Sequence, residues 1–461
     1  MPAIITDPFK KQLTQKIFDE VSNSTNRYYI GIGRSESWDS SETVPNPTDT
    51  PRTIRNARAG LQSIKAATDL SYVVPRYNWS SGNIYQAYDD DFASIPDTNP
   101  YAVLTEDNQV YLCLQQAKST TGAPTTSTIK PSGTSTKPFK TSDGYVWKFL
   151  YTLSAARSSA FLSANFLPVE KVLDTTTLGR SHTVLEAQQF LVQDSAVPGQ
   201  ILNIKLTNGG TGYTSTPTVT IHGDGVRASA TATVSGGTVT KIELDSSTDS
   251  AITMGQGYNF ASVDITSGGG SGASALAIIG PDSGLGADPR DDLKATSLMF
   301  NSKPNGVEDS NFIVGQDFRQ VLLIRDPALS TDSTAQLPIT TSSGKALNFL
   351  QLTAVANTSF LDATITGETS AAKAIIDEVD SDRLFFHQTE ATGFKAFQEG
   401  ENISGGGASG TLVAAGVDAD SDAFTKDDVD KLRGTIVYIE NRAPVTRAAN
   451  QQEDLKVVIT L

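Results

Sequence analysis

This sequence predicts a mainly β fold, in which an α+β framework with two N-terminal helices carries two small inserted β-repeat domains. The first observation is a duplicated glycine-tyrosine motif, at Gly210–Tyr213 and again at Gly255–Tyr258. The second is that small or branched residues occupy every second position around each copy, which is the pattern of strands separated by glycine turns. The third is another duplicated stretch further along the chain. Repetition at a fixed spacing indicates repeated structural units.

The framework begins with two predicted helices. Asp7 followed by Pro8 is a typical helix start. An amphipathic helix ending near Asn23 then has apolar side chains at every fourth residue, namely Phe9, Leu13, Ile17 and Val21. A second start signal at Pro51, which follows a threonine, predicts another helix over residues 52–70.

Framework strands follow the helices. They are predicted at residues 27–33, 71–76, 102–104, 110–114, 145–153 and 317–326, with a final hairpin of residues 435–440 and 455–461. The segment 145–153 places its aromatic side chains on one face, which we expect to be buried because aromatic residues carry much apolar area. This face consists of Tyr145, Trp147, Phe149 and Tyr151.

Two repeat regions interrupt the framework. The first, residues 186–281, contains the glycine-tyrosine motifs, and their shared position suggests that Tyr213 and Tyr258 brace the turn in each repeat. The second, residues 347–418, contains two similar stretches around Ile365 and Ile403, each predicted to be a β-hairpin in a small roll or barrel. The predicted organisation is therefore 1–185 framework, 186–281 insert, 282–346 framework, 347–418 insert and 419–461 C-terminal framework hairpin, since insertions succeed where loop ends lie close together.

The composition excludes several classes of protein. A formal charge of −15 argues against nucleic-acid binding, which needs a basic surface. The lone Cys113 excludes an intrachain disulfide, and three histidines leave little for a transition-metal site. No apolar stretch is long enough to span a bilayer, and the N-terminus lacks the apolar core of a signal peptide. We expect a soluble protein made in a reducing compartment.

Motifs for catalysis and cofactors are weak. Glycines at 405, 407 and 410 match a dinucleotide fingerprint, but a strand follows where the fingerprint needs a helix. The acidic run Asp418–Asp422 lacks the glycine and the glutamate of a calcium loop, so it reads as a solvated linker. We expect His222 at the surface, and His387 is expected to bond backbone or water instead of acting as a base. No catalytic residue, metal site or cofactor is predicted.

Two tryptophans lie in polar loops beside arginines, Trp38 near Arg34 and Trp79 near Arg76. Such pairs are typical of interface anchors, because tryptophan and arginine contribute a large share of binding energy. The alternative is that each tryptophan pins its own loop onto the core.

Five framework segments, in this order, resemble the baseplate wedge subunit (the gene-eight product family) of T-even-type contractile-tailed bacteriophages. They are Gly31–Ser40, Val74–Trp79, Asp143–Leu150, Phe318–Val321 and Ile436–Pro444, and the carboxyl end Gln451–Leu461 is similar too. The resemblance covers about residues 7–172 and, more patchily, residues 317–326 and 427–461.

The resemblance implies a mainly β-sandwich subunit that forms a homodimer and joins neighbouring wedge proteins in the tail baseplate, without enzymatic activity. It implies a virion protein, made in the cytoplasm of the bacterial host, that binds other proteins and neither nucleic acid nor membrane. The candidate interface residues are Arg34, Trp38, Arg76, Trp79, Asn441 and Arg442. The two inserts depart from the family type, and their role stays open.

Two other functions remain in consideration. The first is recognition of a host-surface glycan by the inserted β domains, for which Tyr213 and Tyr258 are the main aromatic candidates in the first insert. The second is a polysaccharide-degrading enzyme, which would need a pair of carboxylates about 5–10 Å apart in a groove.

Overall fold

The computed structural model describes residues 4–22, 27–246, 252–330, 339, 341–414, 425–426 and 428–461. Strands account for 40% of the chain and helices for 13%, so the fold is mainly β, as the sequence predicts. The acidic run Asp418–Asp422, and with it the end of the second predicted insert, lies outside the described residues.

The helices are short, apart from the first. They are α1 Asp7–Ser22, α2 Pro51–Ala59, α3 Ala155–Phe161, α4 Thr175–Leu178, α5 Val184–Asp194 and α6 Pro289–Asp292, and a 3-10 turn spans Thr358–Phe360.

The strands of the first two thirds of the chain are β1 Tyr28–Gly33, β2 Leu61–Ala66, β3 Asp69–Pro75, β4 Ala102–Leu104, β5 Gln109–Gln115, β6 Phe139–Lys140, β7 Val146–Thr152, β8 Phe166–Val169, β9 Ile201–Thr211, β10 Thr218–Gly223, β11 Val226–Ala228, β12 Ala230–Ser235, β13 Thr238–Leu244, β14 Met254–Gln256, β15 Ala261–Thr266, β16 Ser271–Ile279 and β17 Ser297–Ser302. The later strands are β18 Asp317–Arg325, β19 Ala328–Leu329, β20 Ser343–Lys345, β21 Asn348–Gln351, β22 Thr364–Gly367, β23 Lys373–Asp380, β24 Arg383–His387, β25 Asn402–Gly405, β26 Ala408–Thr411, β27 Thr425–Lys426, β28 Val429–Asp430, β29 Thr435–Thr446 and β30 Leu455–Thr460.

Contacts between residues divide the chain into two compact units. The first comprises residues 1–14, 71–298 and 460–461, and the second comprises residues 15–70 and 299–459. Each unit therefore contains part of the predicted framework and one of the two predicted repeat regions.

In the first unit, a four-stranded sheet in the order β4-β5-β7-β6 forms the main core. Strand β7 is buried along almost its whole length, and Trp147 is fully buried with its ring stacked on Tyr145 at 5.6 Å between centroids. The predicted burial of this aromatic face is confirmed. Each buried aromatic ring removes a large apolar area from water and so stabilises this sheet.

The first repeat region forms interlocked strands. The C-terminal strand of the second copy, β16, pairs with β9 from the first copy, with Ala275 opposite Leu206. In the same register, β12 of the first copy pairs with β13, which leads into the second copy, with Ala230 opposite Leu244. These two pairs occupy equivalent positions in the sequence repeat, so the two copies are related by an approximate twofold axis. Strands β10 and β15 pair across that axis.

The repeated tyrosines also form contacts between the two copies. Tyr213 packs against Gly270, in the turn between β15 and β16, and a side chain there would meet the tyrosine ring at 2.5 Å. Tyr258 packs against Gly225, between β10 and β11, where the corresponding distance is 2.4 Å. Both tyrosines are buried. Each tyrosine therefore braces a turn of the other copy, whereas the sequence suggested a turn in its own repeat.

In the second unit, a five-stranded sheet runs in the order β20-β2-β1-β18-β29. The sequence predicted helix over residues 52–70, but helix α2 ends at Ala59 and residues 61–66 form β2, so the second half of that prediction is wrong. Gly60 caps the helix by donating its backbone N–H to Asn56. Leu61 and Ile64 are then buried between β1 and β20, because pairing in the sheet outweighs helix propensity.

The second repeat region forms a seven-stranded sheet in the order β26-β25-β22-β23-β24-β21-β27. Its two predicted hairpins are present, as β22 with β23 and as β25 with β26. The two hairpins meet where Thr366 lies opposite Ser404, residues at equivalent positions of the repeat. An antiparallel bridge between Leu352 and Leu412 connects the end of β21 back to β26, around an apolar core that includes Phe360 and Ile365.

The predicted C-terminal hairpin is not formed. Strand β29 pairs with β18, and β30 lies beside β17 in another sheet. The two strands are separated by residues 447–454, whose Arg447 is buried and bonded to Glu453 at 2.8 Å. This buried ion pair lies within the connection between the two strands.

Candidate interaction site

The tight turn after β1 belongs to the second unit and begins with three polar residues, Arg34, Ser35 and Glu36. Arg34 has a positive φ of 63°, an unusual conformation for a residue with a side chain, and donates its backbone N–H to Gly60 at 2.8 Å. The neighbouring Gly33 approaches the same glycine so closely that a Cβ atom would lie 2.4 Å from its carbonyl oxygen. The close contact between β1 and the end of α2 therefore holds the turn in place.

The turn contributes to a buried cluster of charges around His387. The Nδ1 atom of His387 lies 2.5 Å from Oδ2 of Asp377, and its Nε2 atom lies 3.1 Å from Oε1 of Glu36. The second contact is an ion pair without hydrogen-bond geometry. Ser35 donates its hydroxyl to Oδ1 of Asp377 at 2.6 Å. The prediction that His387 bonds backbone or water is wrong, since both of its ring nitrogens face carboxylates.

Burial and these carboxylates determine the charge of the cluster. Burial opposes the charged imidazolium, but Asp377 and then Glu36 outweigh it and raise the pKa of His387 to about 9. Burial likewise opposes the ionised form of Glu36, yet the histidine lowers its pKa to about 2. Burial lowers the pKa of the nearby Lys431 to about 8, even though Asp377 and Glu36 favour its charge.

The carboxylates on both sides of His387 favour its protonated form. The cluster links three segments of the second unit. Glu36 lies in the turn after β1, Asp377 lies on β23, and His387 ends β24. The arrangement therefore ties the second repeat region to the turn after β1 through buried charges.

Four of the six predicted interface residues lie together beside this cluster. The guanidinium of Arg34 lies 4.1 Å above the centre of the Trp38 ring, and Trp38 donates its indole N–H to the carbonyl of Arg442 at 2.9 Å. Asn441 accepts a hydrogen bond from Gln320 at 2.8 Å. All four are only half-buried, so they remain accessible to a second protein.

The other two candidates, Arg76 and Trp79, lie in the first unit. Trp79 donates its indole N–H to the hydroxyl of Ser127 at 3.2 Å and packs against the aromatic core that contains Trp147. Arg76 donates to the carbonyl of Ser163 at 2.8 Å. These contacts favour the alternative in which Trp79 pins its own loop, whereas a role in binding another protein stays a prediction.

Two cavities flank the charge cluster. One, of about 540 Å³, is lined mostly by polar side chains and includes Arg34, Glu36 and Lys373. The other, of about 410 Å³, has apolar walls and includes His387 and Lys431. Sequence reasoning missed Glu36, Asp377 and Lys431. The available signal for Asp377 was a carboxylate that directly follows the apolar residues Ala374–Ile376 of β23, because ionised side chains are rarely buried unless they are paired.

The other predictions about sites can be compared with the described part of the chain. His222 is exposed, as expected, and lies 3.1 Å from Asp264. Among the described residues, no three histidine, cysteine, aspartate or glutamate side chains are placed to hold a metal ion. None of the described helices has the length and apolar character needed to cross a membrane. Neither a protein-family model nor a curated protein sequence matches this chain.

Proposed function

We propose that this protein is a structural subunit of the baseplate wedge in a contractile phage tail, where it forms a homodimer and joins neighbouring wedge proteins without catalysing a reaction. One observation carries the proposal. Three of the segments that resemble the wedge family are more than a hundred residues apart in sequence, yet they lie on or next to the adjacent strands β1, β18 and β29. A resemblance of unrelated short segments would not be expected to assemble on neighbouring strands.

Direct contacts connect these three segments. Arg319, from the second, donates to the carbonyl of Ser35, from the first, and pairs with Glu42 at 2.9 Å. Trp38, also from the first, bonds the backbone of Arg442 in the third. In the first unit, Trp79 of another such segment packs on the core that contains Trp147. The segments therefore contribute to the packed interior of each unit, which suits a structural component whose units keep their shape.

An exposed apolar face supports contact with another protein. The predicted helix α1 is present, but Phe9 and Leu13 are 55% and 39% exposed, and Ile4 and Ile5 just before it are 88% and 59% exposed. Contiguous apolar side chains on the surface typically mark interaction sites. This stretch is the natural candidate for the dimer contact or for binding a neighbouring wedge protein.

Sedimentation velocity of the purified protein tests the dimer. We expect a species of twice the chain mass of 48.9 kDa at micromolar concentration. The double variant Phe9→Ser and Leu13→Ser should weaken the dimer if α1 forms the contact, whereas Trp38→Ala should weaken it if the Arg34–Trp38 surface does. Leu173→Ser, which changes an exposed leucine elsewhere, is the matched control. A stable monomer at this concentration would contradict the proposal.

The location in a tail needs its own measurement. Antibodies against the protein, viewed by immunogold electron microscopy of isolated virions, should label the baseplate end of the tail. Label on the capsid or absence from particles would contradict the proposal, whatever the oligomeric state.

The glycan-binding alternative has less support. Tyr213 and Tyr258 are buried against glycine turns, so neither can present a ring to a sugar. In the first repeat region, Phe260 is the aromatic side chain that stands exposed, at 67%. Glycan-array binding that disappears in Phe260→Ser would revive this alternative.

A further inference from the structure

A cavity of about 230 Å³ lies within the first unit. Its walls come from the residues before β6, from β7, from the segment that follows α5 and from β14. Five of the lining residues are apolar, namely Pro138, Val197, Ile252, Met254 and Leu285. A cavity of about 150 Å³ can hold a benzene molecule, so this one has room for a small aromatic compound.

Two lysines border the cavity, and they differ in exposure. Lys137 is exposed, whereas Lys148 on β7 is only 3% exposed. Gly286 lies beside the end of the Lys148 side chain, where an added Cβ atom would be 3.2 Å from Cε and 3.5 Å from Nζ. The absence of a side chain at Gly286 therefore leaves space for an amine that is almost completely removed from water.

The contacts of Lys148 do little to hold a positive charge. Its amine donates to the backbone carbonyl of Thr136, which is a neutral acceptor. Among the described residues, Asp292 is the carboxylate that favours the charged amine, but burial raises the pKa of Asp292 itself well above its usual range. Burial outweighs Asp292 and lowers the pKa of Lys148 to about 8. An appreciable share of this amine is therefore uncharged near neutral pH.

We propose that Lys148 binds a small aldehyde covalently, as an imine, with the apolar part of the aldehyde in the cavity. A desolvated lysine beside apolar side chains is the usual arrangement for imine formation, because only the uncharged amine has a lone pair to donate. The cavity volume and the apolar lining select a small aldehyde with an apolar substituent. The inference goes beyond the proposed function and does not depend on where the protein works.

The reaction needs no other reactant. The lone pair of Nζ attacks the carbonyl carbon and forms a C–N bond. The carbonyl oxygen then leaves as water with the two hydrogens of the uncharged amine, so that nothing is oxidised or reduced.

Reductive labelling with benzaldehyde tests the proposal. Sodium cyanoborohydride adds a hydride to the imine carbon and converts the imine to a stable secondary amine. Peptide mass spectrometry of the native protein then measures how fast each lysine gains a benzyl group. Lys137 is the matched control, because it borders the same cavity but is exposed.

We expect Lys148 to be labelled about tenfold faster than Lys137 near neutral pH, because the cavity holds the aldehyde beside a partly uncharged amine. Labelling of Lys148 should increase as the pH rises through 8, where its amine loses its proton. Benzyl alcohol has the same ring without the carbonyl group. It should compete for the cavity and slow the labelling of Lys148 but not that of Lys137.

Labelling of Lys148 no faster than that of Lys137 would overturn the proposal, since the buried amine would then have no special reactivity. So would labelling that benzyl alcohol does not slow, because the aldehyde would then react without occupying the cavity. In protein unfolded by urea, the two lysines should react at similar rates. A preference for Lys148 that persists in urea would also contradict the proposal, because the fold would not be its cause.

Discussion

Glu36, Asp377 and His387 face one another where water has little access. Taking charges out of water is costly, and it is tolerated here because each charged group lies within 3.1 Å of an opposite charge. The same reasoning makes the cluster vulnerable, because removing one member leaves the others buried and unpaired. Sequence alone could not reveal this cluster, since Glu36 lies more than three hundred residues before Asp377 and becomes its neighbour only through the fold.

We predict that His387→Ala lowers the free energy of unfolding by about 3–5 kcal/mol, the usual cost of breaking a buried ion pair from one side. Urea titration of the purified protein measures this change. His222→Ala, at an exposed position, is the matched control and should change little. Equal urea midpoints for His387→Ala and the wild type would show that the cluster does not stabilise the fold.

The wild type should also lose stability at alkaline pH. The pKa of His387 is raised from 6.5 to about 9, so its contribution is complete below pH 6.5 and is lost as the pH rises through 9. Lys431 acts in the opposite direction above pH 8, because its pKa is lowered from 10.5. The decline should therefore be clearest between pH 6.5 and 8 and should disappear in His387→Ala. A decline of the same size in both proteins would contradict this assignment.

Substitution of Trp147 tests how much a single residue of the core stabilises the first unit. Its ring is fully buried among Tyr85, Tyr145 and Phe149, so Trp147→Ala should cost about 3–5 kcal/mol through lost burial and a cavity. Thermal unfolding followed by circular dichroism measures the loss. Trp38→Ala removes an equally large ring from a half-buried position and should cost less. Equal melting temperatures for the two variants would show that burial does not determine how much Trp147 stabilises the protein.

At the scale of elements, the sequence predicted most strands but few of their partners. Alternation at every second residue is a local property, and it marked β5, β7 and the strands of both repeats. Strand pairing is a long-range property. The predicted C-terminal hairpin was wrong because β29 pairs with β18 and not with β30. The second half of the predicted helix after Pro51 was wrong for the same reason, since β2 is fixed by its neighbours in the sheet.

The repeated glycines make the approximate twofold axis of the first repeat region testable. Gly270→Ala should destabilise the protein by about 1–3 kcal/mol, because the added Cβ meets the ring of Tyr213. Gly225→Ala should cause a similar loss through Tyr258, as its equivalent in the other copy.

Gly280→Ala is the matched control for these two variants. Its added Cβ would meet only the flexible side chain of Leu202, at 3.3 Å or more, so a small effect is expected. Urea titration of the three variants measures the losses. Markedly unequal losses for Gly270→Ala and Gly225→Ala would mean that the two turns are not equivalent.

At the scale of the whole molecule, net charge opposes the proposed dimer. Two chains of −15 repel each other, and added salt screens that repulsion over a distance of about 10 Å at 0.1 M. The homodimer should therefore tighten as salt rises from about 0.05 to 0.3 M.

Sedimentation velocity across this range of salt measures the response. A dimer contact formed by the apolar side chains of Phe9 and Leu13 involves no attraction between opposite charges that salt could screen. Added salt then reduces only the repulsion between the two negatively charged chains. If the dimer weakened with added salt, it would depend on opposite charges and not on the exposed apolar face of α1.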